Sequence, residues 1–350
     1  MTDEPSIYRA LLAQARGCLA GGSPLNAALL TLAAEDWSQG GPVRGLMAPW
    51  SDLDYAAQLD AATPLRLIAA LHELSLSGAE PKLTAAYGTG DAERVWAAAQ
   101  GAMERHNKRL AAFMEHEPQT NEVRRSICLV GGFLEVAAAT GLPLRCFEIG
   151  ASAGLNSSWD RYRYQLGRSV WGNPDAPVSM DAEWQGDAPP VYAPVKVIER
   201  AACDRRPPDL HDEDQRRRLL AYVWADQAER LARARAAIGD AITQGVAVEA
   251  ADAVTWTAQR VTPADGAATV LFHSVFWQYM PADSQAALRQ VIHDIGARAT
   301  PTAPFAWLRM EPGAETMMVM EVRLTLWPGG KERLLAKAHP HGATVTWLGA

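Results

Sequence analysis

Only four cysteines, Cys18, Cys128, Cys146 and Cys203, occur in 350 residues, and no two stand in C-x-x-C spacing. Zinc clusters and disulfide frameworks need closely matched cysteines, so neither is expected, and no metal centre is expected. The four read as buried small hydrophobes of a reducing compartment. A basic block is also missing: 33 Lys and Arg face 40 Asp and Glu, the net charge is −7, and the longest basic run is Arg216–Arg218. A nucleic-acid binder concentrates its cations in one footprint, so no nucleic-acid partner is expected. No uncharged run of about 20 apolar residues is available to span a bilayer. The opening MTDEPSIYRALLAQARG carries acids and lacks the apolar stretch of a signal peptide. The expectation is a cytoplasmic protein without a membrane partner, and the composition is compatible with a monomer or an oligomer. What is present, 48% hydrophobic and 21% charged residues, suits a sizeable core in one large or two ordinary domains.

Residues 1–140 are rich in Ala and Leu at helical spacing and poor in strand signals. SIYRALLAQARGCLA predicts one helix. TPLRLIAALHELSLSG predicts another, with Thr63 as N-cap, Pro64 in the first turn and Gly78 closing it. DAERVWAAAQGAMERHNKRLAAFMEH reads as a longer single helix, and TNEVRRSICLVGGFLEVAAATG as a fourth capped by Asn121. After Gly141 the pattern changes. LPLRCFEIG, APVKVIERAACD, VAVEAAD, ATVLFHSVF and PFAWLRME read as five strands in turn. DEDQRRRLLAYVWADQAERLARARAAIG reads as one amphipathic helix with Leu219, Leu220, Val223, Trp224, Leu231, Ala234 and Ile238 on a stripe. SQAALRQVIHDIGARA reads as a second. The tail, MVMEVRLTLWPGG, KERLLAKAH and ATVTWL, reads as antiparallel strands joined by PGG and HPHG turns. Residues 171–194, rich in Pro and Trp, read as an ordered insertion. The expected fold is α/β: a helical cap or lid domain (1–140) preceding a domain (141–350) built on a mostly parallel sheet with antiparallel C-terminal strands.

The stretch CFEIGASAGLN, Cys146 to Asn156, holds two motifs at once. As G-x-S-x-G, it is the nucleophile elbow of a serine hydrolase, with Ser152 the nucleophile, Asp252 an available acid and His273, His339 or His341 an available base. An elbow, however, turns off a strand inside a sheet and needs an upstream oxyanion loop. Here about 140 helical residues precede it, no H-G-G stretch occurs, and Glu148 has no task. As E-x-G-x-x-x-G, every residue has one. Gly150 and Gly154 let the backbone turn tightly and approach a ligand. A helix starting near Asn156 aims free N–H groups at the loop. Glu148 orients the loop and meets a ligand amino group through water, and Ser152 contacts the ligand's amino-acid end. The dinucleotide fingerprint fails at Ser152, and the G-x-x-x-x-G-K phosphate loop is absent.

Over residues 141–350 this order resembles that of the class I S-adenosylmethionine (SAM) methyltransferases. The resemblance implies a Rossmann-like domain with SAM as cofactor and a small-molecule acceptor. It implies that Asp204 meets the ribose hydroxyls, that Asp252 with Ala253 meets adenine, and that His273, Ser274 and Trp277 stand at the reaction centre. His273 is the candidate base, and Asn121 and Arg125 of QTNEVRR are candidate lid residues over the pocket. Two departures stand out: 56 residues separate Glu148 from Asp204, and little chain separates the fifth and sixth strands. A closer resemblance is to an uncharacterised bacterial family of domain-of-unknown-function proteins. It is carried by PQTNEVRRS, EIGASAGLN with WDRYRY, ACDRRPPD, VWADQAERLARARAA, FHSVFWQYMP and HPHGATVTWL.

Plainer roles stand beside these. Asp204 and Asp252 serve equally as helix caps or turn formers, and QTNEVRR as a simple helix start. His273 in an apolar strand is ordinarily a satisfied core histidine, and His339 and His341 flank a turn. Most of the twelve tryptophans are core, with Trp159, Trp171 and Trp277 the candidates for stacking on a ligand. The expected function is methyl transfer from SAM. The alternatives are a serine hydrolase using Ser152 and a non-catalytic SAM- or nucleotide-binding module.

Overall fold

A computed structural model describes residues 5–314, 316 and 318–349. In chain order the elements begin with α1 (Ser6–Ala20), α2 (Pro24–Ser38), α3 (Pro42–Leu46), α4 (Tyr55–Asp60), α5 (Thr63–Leu76), α6 (Pro81–Tyr87), α7 (Ala92–Arg105), α8 (Asn107–Met114) and α9 (Arg125–Thr140). Five strands follow: β1 (Leu144–Ile149), β2 (Arg163–Leu166), β3 (Ser169–Trp171), β4 (Ser179–Met180) and β5 (Glu183–Gln185). Then come β6 (Val197–Asp204), α10 (Glu213–Ala221), α11 (Ala228–Gln244), β7 (Glu249–Ala250), α12 (Ala253–Arg260), β8 (Ala268–Ser274) and α13 (Ala282–Ala297). The chain closes with β9 (Phe305–Pro312), β10 (Met320–Trp327), β11 (Lys331–Ala338) and β12 (Thr344–Trp347).

Two compact units result. The first comprises Met1–Thr120 and His211–Arg235, the second Asn121–Leu210 and Ala236–Ala350. The first is helical and packs Leu11, Leu29, Leu67, Leu71, Trp96, Met103 and Phe113 into one core. Two helices expected to be continuous are broken. The first breaks at His106 (φ −113°, ψ 20°), where Arg105 and His106 both reach Glu80. The 212–239 helix breaks between α10 and α11 because Asp226 serves the start of α2 instead. Its carboxylate accepts from Ser23 Oγ at 2.6 Å and from Leu25 N–H at 3.0 Å. Thr63 is the first residue of α5, with Ala62 at the N-cap, and its hydroxyl donates to Gln58 Oε1 at 2.6 Å.

The second unit is built on a nine-stranded sheet in the order β5-β12-β11-β10-β9-β8-β1-β6-β7. Strands β7, β6, β1, β8 and β9 are mutually parallel, and β9 to β12 form an antiparallel meander. This is a mixed α/β protein, with a helical region first and antiparallel strands last, as the hydropathy pattern predicts. Side chains alternate across the sheet. One face buries Phe147, Leu271, Phe305 and Trp307 with Leu288 and Ile292 of α13 and Trp256 of α12. The other receives α9, whose Phe133 meets Phe272 edge-on at 5.0 Å. Two glycines let α9 lie this close. A Cβ on Gly131 would stand 2.4 Å from Trp347, and one on Gly132 2.3 Å from Leu308. The first segment of the helical unit thus runs to Thr120 and not to residue 140, and the unit is completed by His211–Arg235.

The crossover from β1 to β6 lacks the α-helix expected from Asn156. A seven-residue 3-10 helix, Leu155–Arg161, takes its place, kinked at Ser158, followed by a small sheet ordered β3-β2-β4. Tyrosine hydroxyls take the carbonyls that an α-helix would use: Tyr162 OH donates to Leu155 O and Tyr164 OH to Trp159 O, each at 2.6 Å. Trp159 is stacked between Phe133 (3.9 Å) and Trp171 (5.7 Å) and is fully buried, so it presents no face to a ligand; Trp171 is half-buried.

Candidate functional site

Strand register brings the chemistry-bearing residues to one edge of the second unit. Ile149 pairs with Cys203, so Gly150 is level with Asp204. Glu148 pairs with Phe272, which sets His273 and Ser274 level with Ile149 and Gly150. His273 pairs with Arg309 and Ser274 with Met310, placing Glu311 one step beyond. Asp204 pairs with Ala250, two residues before Asp252. All five strands point their C-terminal ends here. The chain leaves β1 for β6 on one side, and β8 lies on its other side. That reversal is the switch point at which open parallel sheets bind ligands.

The loop after β1 is held from three directions. Gly150, Ser152 and Gly154 take φ of 63°, 53° and 71°, a left-handed setting that a serine adopts only at a cost. The backbone N–H of Ser152 donates to Asp204 Oδ2 at 2.8 Å, while the Arg206 N–H donates to Oδ1 at 2.9 Å. Leu155 N–H donates to Asn121 Oδ1 at 3.0 Å, and Ser126 Oγ to Asn156 Oδ1 at 2.7 Å. Asn121 is therefore a loop brace, and the N-cap of α9 is Arg124. Arg125 donates to the Pro340 carbonyl at 3.0 Å, in the HPHG turn. Glu148 is 3% exposed and accepts from Ser157 Oγ at 2.5 Å. Burial pushes its carboxyl up to about 8, against the Ser157 hydrogen bond and with the nearby Asp204 charge adding to the rise. The group is thus largely neutral at pH 7. The Ser152 hydroxyl is buried without a hydrogen-bond partner.

Across the switch point stands a constellation that the sequence reading missed. Trp307 Nε1–H donates to His273 Nε2 at 3.1 Å, which leaves the ring proton on Nδ1, 2.7 Å from Glu311 Oε1. The same Glu311 oxygen accepts from the N–H groups of Phe276 (3.0 Å) and Trp277 (3.2 Å). These bonds hold Val275 at φ 51°, an outlier for a β-branched residue. The Phe276 ring lies against Gly150, where an added Cβ would stand 2.1 Å from Phe276 Cδ2. Trp277 stacks on His273 at 5.6 Å and carries the Arg289 guanidinium 5.2 Å from its own ring centre. His273 is fully buried with both ring nitrogens engaged, which withdraws it as a base: no lone pair is left to take a proton. The sequence signal for Glu311 was its place at the end of the fifth strand, level with the other acids.

Asp252 caps α12, accepting from Thr255 N–H at 3.0 Å, and is exposed; Ala253 behind it is buried. The plain role thus holds for Asp252, while its carboxylate keeps further lone pairs. Ser274 is half-buried at the end of β8. Among the described residues no group of three or more His, Cys, Asp or Glu side chains could hold a metal ion, and no helix is long and apolar enough to cross a membrane.

No curated protein and no solved structure matches the chain. The family match, in contrast, spans almost all of it, taking in the TNEVRR helix start, the loop after β1, the β8 end and the HPHG turn. Through that match, over residues 8–347, the chain belongs to the family described as "Uncharacterized protein conserved in bacteria (DUF2332)".

Proposed function

We propose that this edge is a Rossmann-like SAM site and that the protein is a SAM-dependent methyltransferase acting on a small or medium acceptor. The observation that carries the reading is the register: the glycine loop after β1, Asp204 after β6, Asp252 after β7 and Ser274 after β8 stand side by side at the switch point. The fit to the cofactor is good at the loop. Three left-handed residues shape the turn there, and the Ser152 hydroxyl is buried and unsatisfied, a cost that a ligand's polar end relieves. It is poorer at Glu148, whose neutral carboxyl cannot offer a negative charge until a cation draws its proton off.

In this reading the backbone of Gly150–Gly154 and the Ser152 hydroxyl hold the amino-acid end. The lone pairs that Asp204 retains receive the ribose hydroxyls, and Asp252 with the first N–H groups of α12 receives the base. When bound, the cofactor supplies an electrophilic methyl group on a sulfonium. The chain's own contribution is positional, fixing geometry at the edge and keeping water out with Phe276 and Trp277. His273, buried and doubly bonded, orients Trp277 and Trp307.

Calorimetry of the full chain with SAM and with S-adenosyl-L-homocysteine tests this reading. Binding is expected, and Asp204→Ala should weaken it about tenfold or more. A folded protein that binds neither compound would end the reading. One observation favours the serine-hydrolase alternative: Ser152 sits at φ 53°, as a strained nucleophile would. Its Oγ has no imidazole in hydrogen-bond reach, so no labelling of Ser152 by a fluorophosphonate is expected. Labelling that Ser152→Ala abolishes would reverse that choice. Ligand binding without any transferable acceptor would mark a non-catalytic module.

A further inference from the structure

The two oxygens of Glu311 are unequal. Oε1 accepts three hydrogen bonds, from His273 Nδ1 and the N–H groups of Phe276 and Trp277. Oε2 is buried and has none. A carboxylate oxygen closed from solvent without a donor is costly, and such costs persist where function uses them. The segment beside it is strained too, with Val275 at φ 51° immediately before the two donating amides. Around the carboxylate stand flat aromatic groups: Phe276 and Trp277 lie 5.7 and 5.6 Å from the His273 ring, and both are half-buried. Two cations are also near. Arg309 lies 4.0 Å from the Trp307 ring centre and pairs with Glu332, and Arg289 lies over Trp277.

We infer that Glu311 Oε2 is a ligand-recognition point for the N–H group of a planar, nitrogen-bearing molecule, which enters as the Val275–Trp277 segment yields. The inference rests on the proposal that this edge binds ligands, and it deepens that proposal by assigning the acceptor side to N–H donors. Aromatic walls with one unsatisfied acceptor suit a flat amidine, aromatic amine or amide. The neighbouring guanidiniums make a flat carboxylate the natural competitor, so the choice between the two is decisive.

Benzamidine and benzoate are nearly identical in shape and opposite in hydrogen bonding, and serve as probes of the full chain, read by the Trp277 indole N–H signal in NMR. Benzamidine should bind about tenfold or more tightly than benzoate. In Glu311→Gln, the three donors hold the amide oxygen at the Oε1 position, which turns the amide NH2 toward the ligand. That variant should keep its melting temperature and the Nδ1–H tautomer of His273 yet lose the benzamidine preference about tenfold. Equal or stronger benzoate binding, no benzamidine binding, or a preference unchanged in Glu311→Gln each overturns the inference. Calorimetry with S-adenosyl-L-homocysteine is the separate arm. Its failure beside a retained benzamidine preference removes the methyltransferase reading and leaves the Glu311 site standing.

Discussion

The helical unit and the sheet edge treat buried polar groups differently. In the helical unit Glu73, nearly buried, is shared by Arg109 at 2.6 Å and Arg217 at 2.8 Å, and Asp226 spends both oxygens on the start of α2. Unsatisfied atoms occur there too, among them Asn26 Oδ1 on α2, the Tyr87 hydroxyl on α6, Arg218 Nε on α10 and the Tyr222 hydroxyl just after it. At the sheet edge two of them lie in neighbouring loops: Ser152 Oγ after β1, and Glu311 Oε2 against the loop after β8. Among the described residues, two of the three non-glycine positions at positive φ, Ser152 and Val275, lie in the same loops. What sets the sheet edge apart is the coincidence of unsatisfied polar atoms with left-handed non-glycine backbone, the pattern expected of a site more than of a scaffold.

The largest test of that contrast is pH. Glu148 is raised from 4.5 in the unfolded chain to about 8 in the folded one, so its native form keeps a proton that the unfolded chain releases. Stability is therefore greatest at and below pH 4.5 on this account and falls as pH rises toward 8, by up to about 5 kcal/mol. Glu148→Gln should remove that slope, seen as a variant that gains on wild type in urea unfolding between pH 5 and 8. A parallel pair of pH profiles would mean that the carboxyl is already ionised. In the scaffold, Glu73→Ala leaves the half-buried Arg217 without its inner partner and should cost about 3 kcal/mol in denaturant unfolding, with ligand binding intact. Loss of ligand binding in that variant would blur the distinction between the regions.

Gly150→Ala comes next. The new Cβ meets Phe276 at φ 63°, and about 2 kcal/mol of destabilisation is expected. Adding Phe276→Ala should return part of it. If the double variant is no better than the single one, the contact is not what fixes the loop. Smallest is Asp252→Ala, about 1 kcal/mol for a lost N-cap. A fall in S-adenosyl-L-homocysteine affinity beyond that small loss would assign Asp252 to the ligand; unchanged affinity would leave it a cap.

Element type was legible wherever period and punctuation agreed. SIYRALLAQARGCLA is α1 to the residue, and the five parallel strands and the closing meander follow their apolar runs. Breaks within helices were not, because their causes lie far along the chain: Asp226 abandons a helical pattern to serve Ser23 and Leu25. The same holds for VGGF, whose glycines answer Leu308 and Trp347. At the edge, position along the chain anticipated that Gly150, Asp204 and Asp252 follow neighbouring strands. It could not reveal what each atom bonds to: both His273 nitrogens are engaged, by Glu311 and Trp307. VAVEAAD shrinks to the two residues of β7, which pair with Cys203 and Asp204 of β6.

The order of the sheet also bears on the order of its assembly. Strands β9 to β12 neighbour one another in sequence as in space, so each closes a short loop onto the last. The parallel half must span residues 150–196 to join β6 to β1 and residues 205–248 to join β7 to β6. Long closures are entropically expensive and slow. The meander can thus stand as a template before the parallel edge exists. The strained loops of that edge then set last, against strands already in place.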